Sequence, residues 1–413
     1  MFEIDKIRRD FPMLERTNEG KPLIYLDNGA TTLKPDCVIA AVNNYYQNIT
    51  SNIHRGDYHL AYLADQAYQQ AREVVADFIN CQSKEVVFTY GTTHGLNQIA
   101  YGYGIKNLKK DDEILITVAE HASNILPWYR LAQLTGAKVR FIPLDEKGKI
   151  TVENVKLALN ERVKIVSLTH GSNVLGYISD IKAIAAAVHE AGAILVVDRA
   201  QSVPHIKTDV KELDCDFLVF SGHKMGGPTA VGVMYGKYQL LEKMEPLLLG
   251  GGMNYRFDIA GQMLFKDAPD RFEAGTPGIE AVLGLKAAIQ YLQNIGMDKI
   301  ALYEKQLKDY AVSEMKKLDN IIIYNPEPDI GIISFNITDQ GRVLFGQDVA
   351  AYLSKHGLCL RSGNHCAKNL WHHLGTDSTI RCSLYFYNTK KEIDKLIEVL
   401  KTATLESCID VIF

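Results

Sequence analysis

Seven short apolar runs, separated by stretches of helical periodicity, constrain the fold of this chain more than any other feature. They cover residues 86–89, 114–118, 139–142, 165–168, 194–197, 217–220 and 231–235. Between most of them lie segments such as 180–191, in which apolar residues recur every three or four positions, as in an amphipathic helix. Strands that are apolar on both faces and separated by helices predict a mainly parallel, seven-stranded sheet covered by helices. We therefore expect an α/β fold over roughly residues 20 to 265.

The rest of the chain has a different pattern. A long helical pattern covers residues 278–318, and strands at 321–324, 332–335 and 379–386 are then interspersed with helices at 347–356 and 390–405. A chain of 413 residues is also longer than one apolar core usually serves. We expect an N-terminal segment 1–19 that packs with the small domain, a large cofactor-binding domain 20–277, connecting helices 278–318 and a small α+β domain 319–413.

Charge and apolar patterning exclude several classes of protein. The net charge is −4 and the isoelectric point is about 6.3, and the basic residues are scattered among acids, which argues against a nucleic-acid surface. No window approaches a membrane span, and the first residues lack the apolar core of a signal peptide. Seven cysteines, an odd number in a long chain, indicate a reducing compartment. We expect a cytoplasmic protein without nucleic-acid or membrane partners.

A cluster of sulfur and imidazole side chains raises the alternative of structural zinc. Its members are Cys359, His365, Cys366, His372 and His373. Their spacings match no two-plus-two zinc pattern, and adjacent residues on an extended chain point in opposite directions. We therefore expect no metal site.

The motif Ser221-Gly222-His223-Lys224 directly follows the apolar run 217–220. A lysine at the mouth of a buried strand loses solvent, which lowers the pKa of its amine and frees it to form a Schiff base with an aldehyde cofactor. The alternative is an exposed loop lysine. The neighbouring motifs favour a pyridoxal phosphate enzyme with Lys224 as the attachment point.

Asp198 ends the apolar run 194–197, and Gln201 follows three residues later. A carboxylate at the end of a buried strand is costly unless it is paired, and the protonated ring nitrogen of pyridoxal phosphate is a suitable partner. Gln201 is then expected to reach the phenolic oxygen of the ring. The alternative is that Asp198 caps a helix or a turn.

The segment Gly91-Thr92-Thr93-His94-Gly95 follows a predicted strand and opens a helix. Backbone N–H groups and hydroxyls at a helix N-terminus suit an anion, so this segment is a predicted phosphate cradle. Ser221 and His223, beside the lysine, are expected to complete it. The alternative is that Thr92 or Thr93 only caps the helix.

Polar side chains also follow other predicted strands. His121 comes shortly after the run 114–118, and Asn173 follows 165–168. Because ligands of open α/β sheets bind at the carboxyl ends of strands, we expect these residues beside Thr92, Asp198 and Lys224. An imidazole there is suited to stack on a pyridine ring and to relay protons.

Several motifs, in order and over nearly the whole chain, resemble the class V aminotransferase group of fold type I pyridoxal phosphate enzymes. They are Leu26-Asp27-Asn28-Gly29-Ala30-Thr31-Thr32, Asn52-Ile53-His54-Arg55-Gly56, Gly91-Thr92-Thr93, Glu120-His121, Ser172-Asn173-Val174-Leu175-Gly176, Asp198 with Gln201, Ser221-Gly222-His223-Lys224 and Arg271-Phe272-Glu273-Ala274-Gly275-Thr276-Pro277. Within that group the chain looks most like the Suf-type (type II) cysteine desulfurases.

The resemblance implies a role for each matching residue. Lys224 would hold the cofactor as a Schiff base, Asp198 would contact its ring nitrogen, Gln201 its phenolic oxygen, and His121 would stack on its ring. Phosphate contacts would come from Thr92, Thr93, Ser221 and His223, with Thr276 reaching in from a neighbouring subunit. That last contact implies a homodimer with shared active sites. The implied substrate-binding residues are Asn173, Arg361 and Arg381, among which a planar guanidinium suits a carboxylate.

Cys366 is the candidate that separates a desulfurase from a transaminase, and it matches the family's persulfide position. It lies in the small-residue segment Arg361-Ser362-Gly363-Asn364-His365-Cys366-Ala367, where Arg361 and His365 are expected to add positive charge that favours a thiolate. The other six cysteines are expected to be inert. The resemblance implies conversion of L-cysteine to L-alanine, a persulfide on Cys366, and a sulfur-acceptor or scaffold protein for iron–sulfur cluster assembly or another sulfur-containing product.

The chain departs from the family pattern at four places. Asn364 stands where many Suf-type members have a second histidine, Lys368-Asn369 replaces Met/Gln-Pro, Gly29 stands where alanine is common, and Arg199 stands where a small residue is usual. These departures bear on partners and substrate preference more than on the cofactor.

Other activities on the same scaffold stay open. They include selenocysteine lyase, with cysteine sulfinate desulfinase and a kynureninase-like hydrolase beside it. An ordinary transaminase gives no reason for Cys366 in its loop. An inactive scaffold predicts the loss of Lys224, Asp198 or Cys366, and all three are present.

Overall fold

The central feature of the computed structural model, which describes residues 2–54 and 56–409, is a seven-stranded sheet. In spatial order its strands are Val86–Thr89, Gly232–Gly236, Phe217–Ser221, Ile194–Asp198, Val163–Thr169, Glu113–Thr117 and Lys138–Ile142. Gly232–Gly236 runs antiparallel to both of its neighbours, and the other adjacent pairs are parallel. The predicted α/β fold with a mainly parallel seven-stranded sheet is confirmed. Arg55, part of one predicted motif, lies outside the described residues.

Alternation of buried side chains explains why this sheet has helices on both faces. Leu195 and Val197 face one apolar core, and Val196 between them faces a second core on the opposite side. All three are fully buried. Successive side chains of a strand point to opposite faces, so a continuous apolar run requires cover on both.

Helices provide that cover. Those in the first part of the described chain are Ile4–Arg9, Asp36–Asn44, His59–Ile79, Thr92–Ile99, Ile105–Asn107, Leu126–Thr135, Val152–Ala158, Ile181–Glu190, Val210–Leu213 and Tyr238–Leu241. The predicted helix 180–191 forms as Ile181–Glu190, because the Asp180 side chain accepts a hydrogen bond from Ala183 N and caps its first turn. Among the described residues no helix is both long and apolar enough to cross a bilayer.

A second sheet is built mainly by the last third of the chain. Its strands, in spatial order, are Ile321–Ile323, Ile332–Asp339, Thr379–Ser383 and Arg361–Gly363, all antiparallel. Helices Gly346–Lys355, Trp371–Leu374, Lys390–Leu400 and Leu405–Ile409 accompany it. This sheet has an apolar core of its own that includes Ile333, Phe335 and Leu396.

Several element boundaries here differ from the predicted ones, and the strand expected over 332–335 extends to Asp339. The helical region 278–318 is two helices, Ile279–Ile295 and Met297–Met315, because Gly296 has a φ of +96° and interrupts the first. The strand expected over 379–386 ends at Ser383, and the helix expected over 390–405 ends at Leu400, whose carbonyl accepts a hydrogen bond from Asn320 Nδ2. A separate helix then covers Leu405–Ile409.

The N-terminal part of the described chain contacts its last third. Strand Ile24–Tyr25 pairs in parallel with Leu358–Cys359. Arg8 donates to the Tyr387 carbonyl at 2.6 Å and pairs with Glu392 at 3.0 Å. Segments far apart in sequence are thus brought into contact. The expected domain boundaries stay a prediction.

Candidate active site

A cavity of about 310 Å³ lies at the carboxyl ends of the central strands, closed on one side by residues of the second sheet. The predicted site residues that line it are Thr92, Thr93, His121, Asn173, Asp198, Gln201, Ser221, His223, Lys224, Arg361, Cys366 and Arg381. Thr276 is exposed and is not part of the lining. The fold therefore places twelve of the thirteen predicted residues at a single cavity, and their individual roles stay predictions.

Lys224 lies in a tight turn, Gly222–Lys224, immediately after the strand Phe217–Ser221. The turn is held from outside, because the His223 carbonyl accepts hydrogen bonds from Thr32 N and Lys34 Nζ, both at 3.0 Å. Burial lowers the pKa of Lys224 to about 8. A neutral, nucleophilic amine is thereby accessible near physiological pH.

Asp198 is buried at the end of its strand and accepts a hydrogen bond from Ala200 N at 2.9 Å. Burial raises its pKa above the ordinary value, against the opposing effects of that hydrogen bond and of the Lys224 charge. The raised pKa means that the protein's own donors and charges do not fully compensate the loss of solvent around this carboxylate. The site is therefore suited to a ligand that brings a protonated nitrogen.

Gln201 makes a contact that the sequence does not reveal. Its side-chain amide donates to the Gly29 carbonyl at 2.7 Å. This hydrogen bond fixes the amide at the cavity wall beside Asp198. The predicted contact between Gln201 and a phenolic oxygen stays a prediction.

One end of the cavity presents clustered donors. The Ser221 hydroxyl accepts from Thr92 N at 2.8 Å and lies 2.8 Å from the Thr92 hydroxyl, and helix Thr92–Ile99 begins there. Thr93 Oγ1 lies 2.7 Å from Ser123 Oγ. Burial lowers the pKa of His223 to about 4, so its ring is neutral at pH 7. Hydroxyls at a helix N-terminus provide the environment that a phosphate group requires.

His121 is held by a hydrogen bond that its Nδ1 accepts from Ser123 N at 3.1 Å. Burial lowers its pKa to about 4, and the charges of Lys224 and Arg381 act in the same direction. The imidazole is therefore neutral, and its ring is available to stack on a flat ligand.

Glu120, next to His121, was not given a role from the sequence. It is fully buried and accepts hydrogen bonds from Thr117 Oγ1 and Asn124 Nδ2, both at 2.7 Å. Burial raises its pKa to about 8. Its contacts fix the backbone that carries His121.

Two guanidinium groups enter the cavity from the second sheet, and Asp27 binds both. Arg361 pairs with Asp27 at 3.0 Å and Arg381 pairs with it at 3.2 Å. Arg381 also donates to the Asn173 carbonyl at 3.0 Å. Asp27 is a site residue without a predicted role, although it lies inside the motif Leu26–Thr32 that carried the resemblance.

Asn173 contacts the loop of Cys366. Its side-chain amide donates to the His365 carbonyl at 2.8 Å, so one of its two N–H groups is already engaged. The amide was predicted to bind a substrate carboxylate. That role stays a prediction, and the structure adds a second one, which is to join the central sheet to the cysteine loop.

Cys366 is exposed and lines the cavity together with Lys224. The expectation that both Arg361 and His365 bring positive charge to it is wrong for His365. Burial and the nearby Arg381 lower the pKa of His365 to about 3, so its ring is neutral. Positive charge near the thiol comes from Arg361, and from Lys224 when its amine is protonated.

A buried ion pair lies under the loop that carries Thr276. Arg72 donates to the two carboxylate oxygens of Glu273 at 2.8 and 2.9 Å, and Phe88 N donates to the same carboxylate at 2.8 Å. Gly275 N then donates to the Gly251 carbonyl at 2.8 Å. The loop is shaped by these contacts within one chain.

Comparison with known proteins gives consistent matches. Residues 24–396 match the Aminotransferase class-V family. A probable cysteine desulfurase of Halalkalibacterium halodurans is 45% identical over 399 residues, which are 96% of this chain and 97% of that protein.

Solved structures agree with the sequence match. A cysteine desulfurase of Thermococcus onnurineus NA1 in its apo form is 36% identical, with a TM-score of 0.90 and coverage of 96% of this chain and 97% of that one. The cysteine desulfurase CsdA of Escherichia coli, in an S-sulfonic acid form, is 35% identical, with a TM-score of 0.90 and coverage of 97% and 98%. The finer Suf-type assignment stays a prediction. The chain belongs to the aminotransferase class-V family, as its motifs indicate.

Proposed function

We propose that the protein is a pyridoxal phosphate-dependent cysteine desulfurase, which converts L-cysteine to L-alanine and takes the sulfur onto Cys366 as a persulfide. One observation carries the proposal: the amine of Lys224, with its pKa lowered to about 8, and the exposed thiol of Cys366 line the same cavity. Relatives with 35–45% identity over nearly the full chain are named cysteine desulfurases or probable ones.

The cavity residues fit pyridoxal phosphate. The cofactor has an aldehyde, a ring nitrogen that carries a proton, a flat ring and a phosphate. The matching groups are the amine of Lys224, the carboxylate of Asp198, the neutral ring of His121 and the hydroxyls of Thr92 and Ser221. When bound, the cofactor acts as an electron sink for the Cα of an amino acid.

The protein's own residues bind and orient the substrate. Arg381, with 3% of its side chain exposed, is fixed by Asp27 and by the Asn173 carbonyl, which leaves further N–H donors for the cysteine carboxylate. Arg361, with half of its side chain exposed, pairs with the same carboxylate at 3.0 Å. A carboxylate bound by these guanidinium groups directs the substrate sulfur toward the cysteine loop.

Lys224 and Cys366 then carry the chemistry. The neutral amine of Lys224 accepts the Cα proton. The Cys366 thiolate attacks the substrate sulfur, forming an S–S bond while the substrate C–S bond breaks and its electron pair stays with the carbon. Protonation of that carbon skeleton yields alanine, and the transferred sulfur stays on Cys366.

Mass spectrometry of the protein after incubation with cysteine tests this proposal. We expect one added sulfur on Cys366, released by a reductant, and alanine in solution. The Cys359→Ser variant is the matched control, because this nearby cysteine is outside the cavity lining. Alanine formation with no sulfur on Cys366 would contradict the proposal. Faster turnover of selenocysteine or cysteine sulfinate than of cysteine would instead favour a selenocysteine lyase or a cysteine sulfinate desulfinase.

The proposal includes a homodimer with shared active sites. Thr276 is exposed, and the adjoining segment presents Leu249 with 61% of its surface accessible. The backbone of Gly275 is hydrogen-bonded to Gly251, so these residues form one continuous surface. The exposed Leu249 offers apolar contact area to a second copy. The Thr276 hydroxyl beside it is then suited to bind the phosphate held by that copy.

Complementation between two inactive variants tests the shared site. Thr276→Asp places a negative charge against a phosphate in the neighbouring subunit, while Lys224→Ala removes the amine. If the sites are shared, a mixed dimer of the two variants contains one site with both defects and one with neither, so mixing restores activity. Activity that stays absent in a verified mixed dimer would contradict sharing.

We also place the enzyme in the cytoplasm, where it passes sulfur to an acceptor or scaffold protein for iron–sulfur clusters or another sulfur-containing product. The cysteines of the described chain are unpaired, and Cys366 is exposed, which suits a reducing compartment and a protein acceptor. Cell fractionation tests the location. Transfer of labelled persulfide sulfur from Cys366 to cysteines of a co-purified protein tests the acceptor.

A further inference from the structure

The turn that carries Cys366 has an unusual backbone. Gly363 has a φ of +120°, His365 of +48° and Cys366 of +57°. Glycine adopts positive φ readily, whereas two consecutive residues with side chains do so only at a cost in free energy. The conformation that places the thiol at the cavity therefore depends on contacts that hold this backbone.

Three hydrogen bonds involve the backbone of His365 and Cys366 and hold it. Asn173 Nδ2 donates to the His365 carbonyl at 2.8 Å, and Ala122 N donates to the Cys366 carbonyl at 2.8 Å. These two join the turn to the ends of central strands. The third lies within the turn: Cys366 N donates to the Asn364 side-chain oxygen at 3.2 Å.

The Asn364 contact acts directly on the nucleophile. An asparagine side chain that accepts from the N–H two residues later forms a closed local turn, which favours one backbone conformation over the many open to a free loop. The Asn364 carbonyl also accepts from Ala367 N at 2.8 Å. Asn364 therefore binds the backbone at the nucleophile and again one residue after it.

We propose that Asn364 is a positioning residue that keeps Cys366 in its left-handed conformation, with the thiol at the cavity. This inference rests on the proposed function for its catalytic consequence. Its structural content, a restrained Cys366 backbone, does not depend on turnover. The inference gives a role to Asn364, which has none in the proposed function.

Hydrogen exchange of the cofactor-loaded protein, followed by mass spectrometry, tests the structural part. In Asn364→Ala the peptide that contains residues 361–367 should exchange faster than in the wild type. Asn364→Asp, which keeps the side-chain oxygen, should restore slow exchange. Asn369→Ala is the matched control, because Asn369 makes no hydrogen bond to residues 364–367 in the structure and should leave exchange in this peptide unchanged. Equal exchange in the wild type and Asn364→Ala would overturn the inference.

Steady-state kinetics test the catalytic part. Asn364→Ala should lower kcat for alanine formation by about tenfold, since the thiol is less often aligned. The KM for cysteine should stay within about twofold, because Arg381 and Lys224 are unchanged. Asn364→Asp should recover most of the lost kcat. An unchanged kcat in Asn364→Ala, or equal losses in the Ala and Asp variants, would overturn the positioning role.

The proposed function and the positioning role of Asn364 can be contradicted independently. If the wild-type protein forms no alanine from cysteine, the proposed function fails, and the exchange experiment still decides whether Asn364 restrains Cys366. If the wild type is active and exchange at residues 361–367 is insensitive to Asn364, the proposed function stands and this inference fails.

Discussion

The two sides of the cavity obtain their geometry in different ways. Lys224, Asp198 and Ser221 lie at or just after the ends of strands that are buried on both faces, so their positions follow from the central sheet. Cys366 lies instead in an exposed turn with positive φ, held by a few hydrogen bonds. The Lys224 side, which we call the cofactor side after its proposed role, is therefore rigid because of packing. The Cys366 side, which we call the nucleophile side for the same reason, is rigid only while specific polar contacts last.

The two sides of the cavity also differ in what controls their charged groups. On the cofactor side, burial is the main cause of the lowered pKa of Lys224 and His121 and of the raised pKa of Asp198. On the nucleophile side, the half-exposed Arg361 supplies charge to a solvent-accessible thiol. Substitutions on the cofactor side should thus affect cofactor and turnover together, whereas substitutions on the nucleophile side should affect turnover alone.

The largest expected effect is that of Lys224→Ala. Without this amine the protein should lose the visible absorption band of the bound aldehyde, and alanine formation should fall by about ten-thousandfold, the upper range for removal of a proton-transferring group. Absorbance spectra and alanine release measure the two effects. Lys243→Ala, at an exposed lysine, is the control. A variant that keeps an unchanged, borohydride-reducible band would refute the assignment.

Cys366→Ser should separate the two sides of the cavity. Its absorption band and the spectral change on adding cysteine should persist, while alanine release falls on the order of a thousandfold because the hydroxyl is a much weaker nucleophile toward sulfur. Stopped-flow absorbance and an alanine assay measure these effects, with Cys359→Ser as the control. Alanine release at the original rate would remove Cys366 from the mechanism.

The pH dependence of cofactor attachment should report the environment of Lys224. Only its neutral amine attacks an aldehyde, so the rate at which apoprotein regains the visible band should rise with pH and level off above about 8. Asp198 raises this pKa, so Asp198→Asn should move the midpoint to lower pH. A midpoint near the ordinary lysine value would show that burial does not lower this pKa, and an upward shift in the variant would contradict the effect assigned to Asp198.

The smallest effect is expected at Gly29, where the two sides meet. A Cβ added at this position would lie 3.0 Å from Arg381 Cζ, closer than an ordinary contact. Because Asp27 and Asn173 hold this guanidinium, Gly29→Ala should raise the KM for cysteine about fivefold, the equivalent of about 1 kcal/mol. The kcat should change little. A KM equal to that of the wild type would mean that the Arg381 guanidinium can shift without weakening the binding of cysteine.

The sequence predicted the cofactor side of the cavity better than the nucleophile side. Strand periodicity and polar residues after strands were enough to group Thr92, His121, Asp198 and Lys224, because parallel strands end at one edge of a sheet. The pairing of Asp27 with Arg361 joins residues 334 positions apart, and no local pattern encodes it. The same holds for the contact between Asn173 and His365.

Predictions from local sequence were wrong where the property depends on the folded surroundings of a residue. His365 looked like a source of positive charge from its place beside Cys366, but its burial depends on the folded second sheet and makes it neutral. The helical pattern over 278–318 was correct in type, yet the positive φ of Gly296 divides it. Burial and backbone angle are properties of the assembled chain, which explains why residue order alone did not reveal them.

The bidentate pair of Arg72 and Glu273 has a consequence for the proposed dimer. Both side chains are 3% exposed and both carboxylate oxygens are bonded, so the neighbouring loop is ordered before association. Encounter then needs little freezing of flexible segments, a contribution that otherwise weakens binding. In the proposed dimer, a second copy would therefore dock on a surface whose shape is already set within one chain.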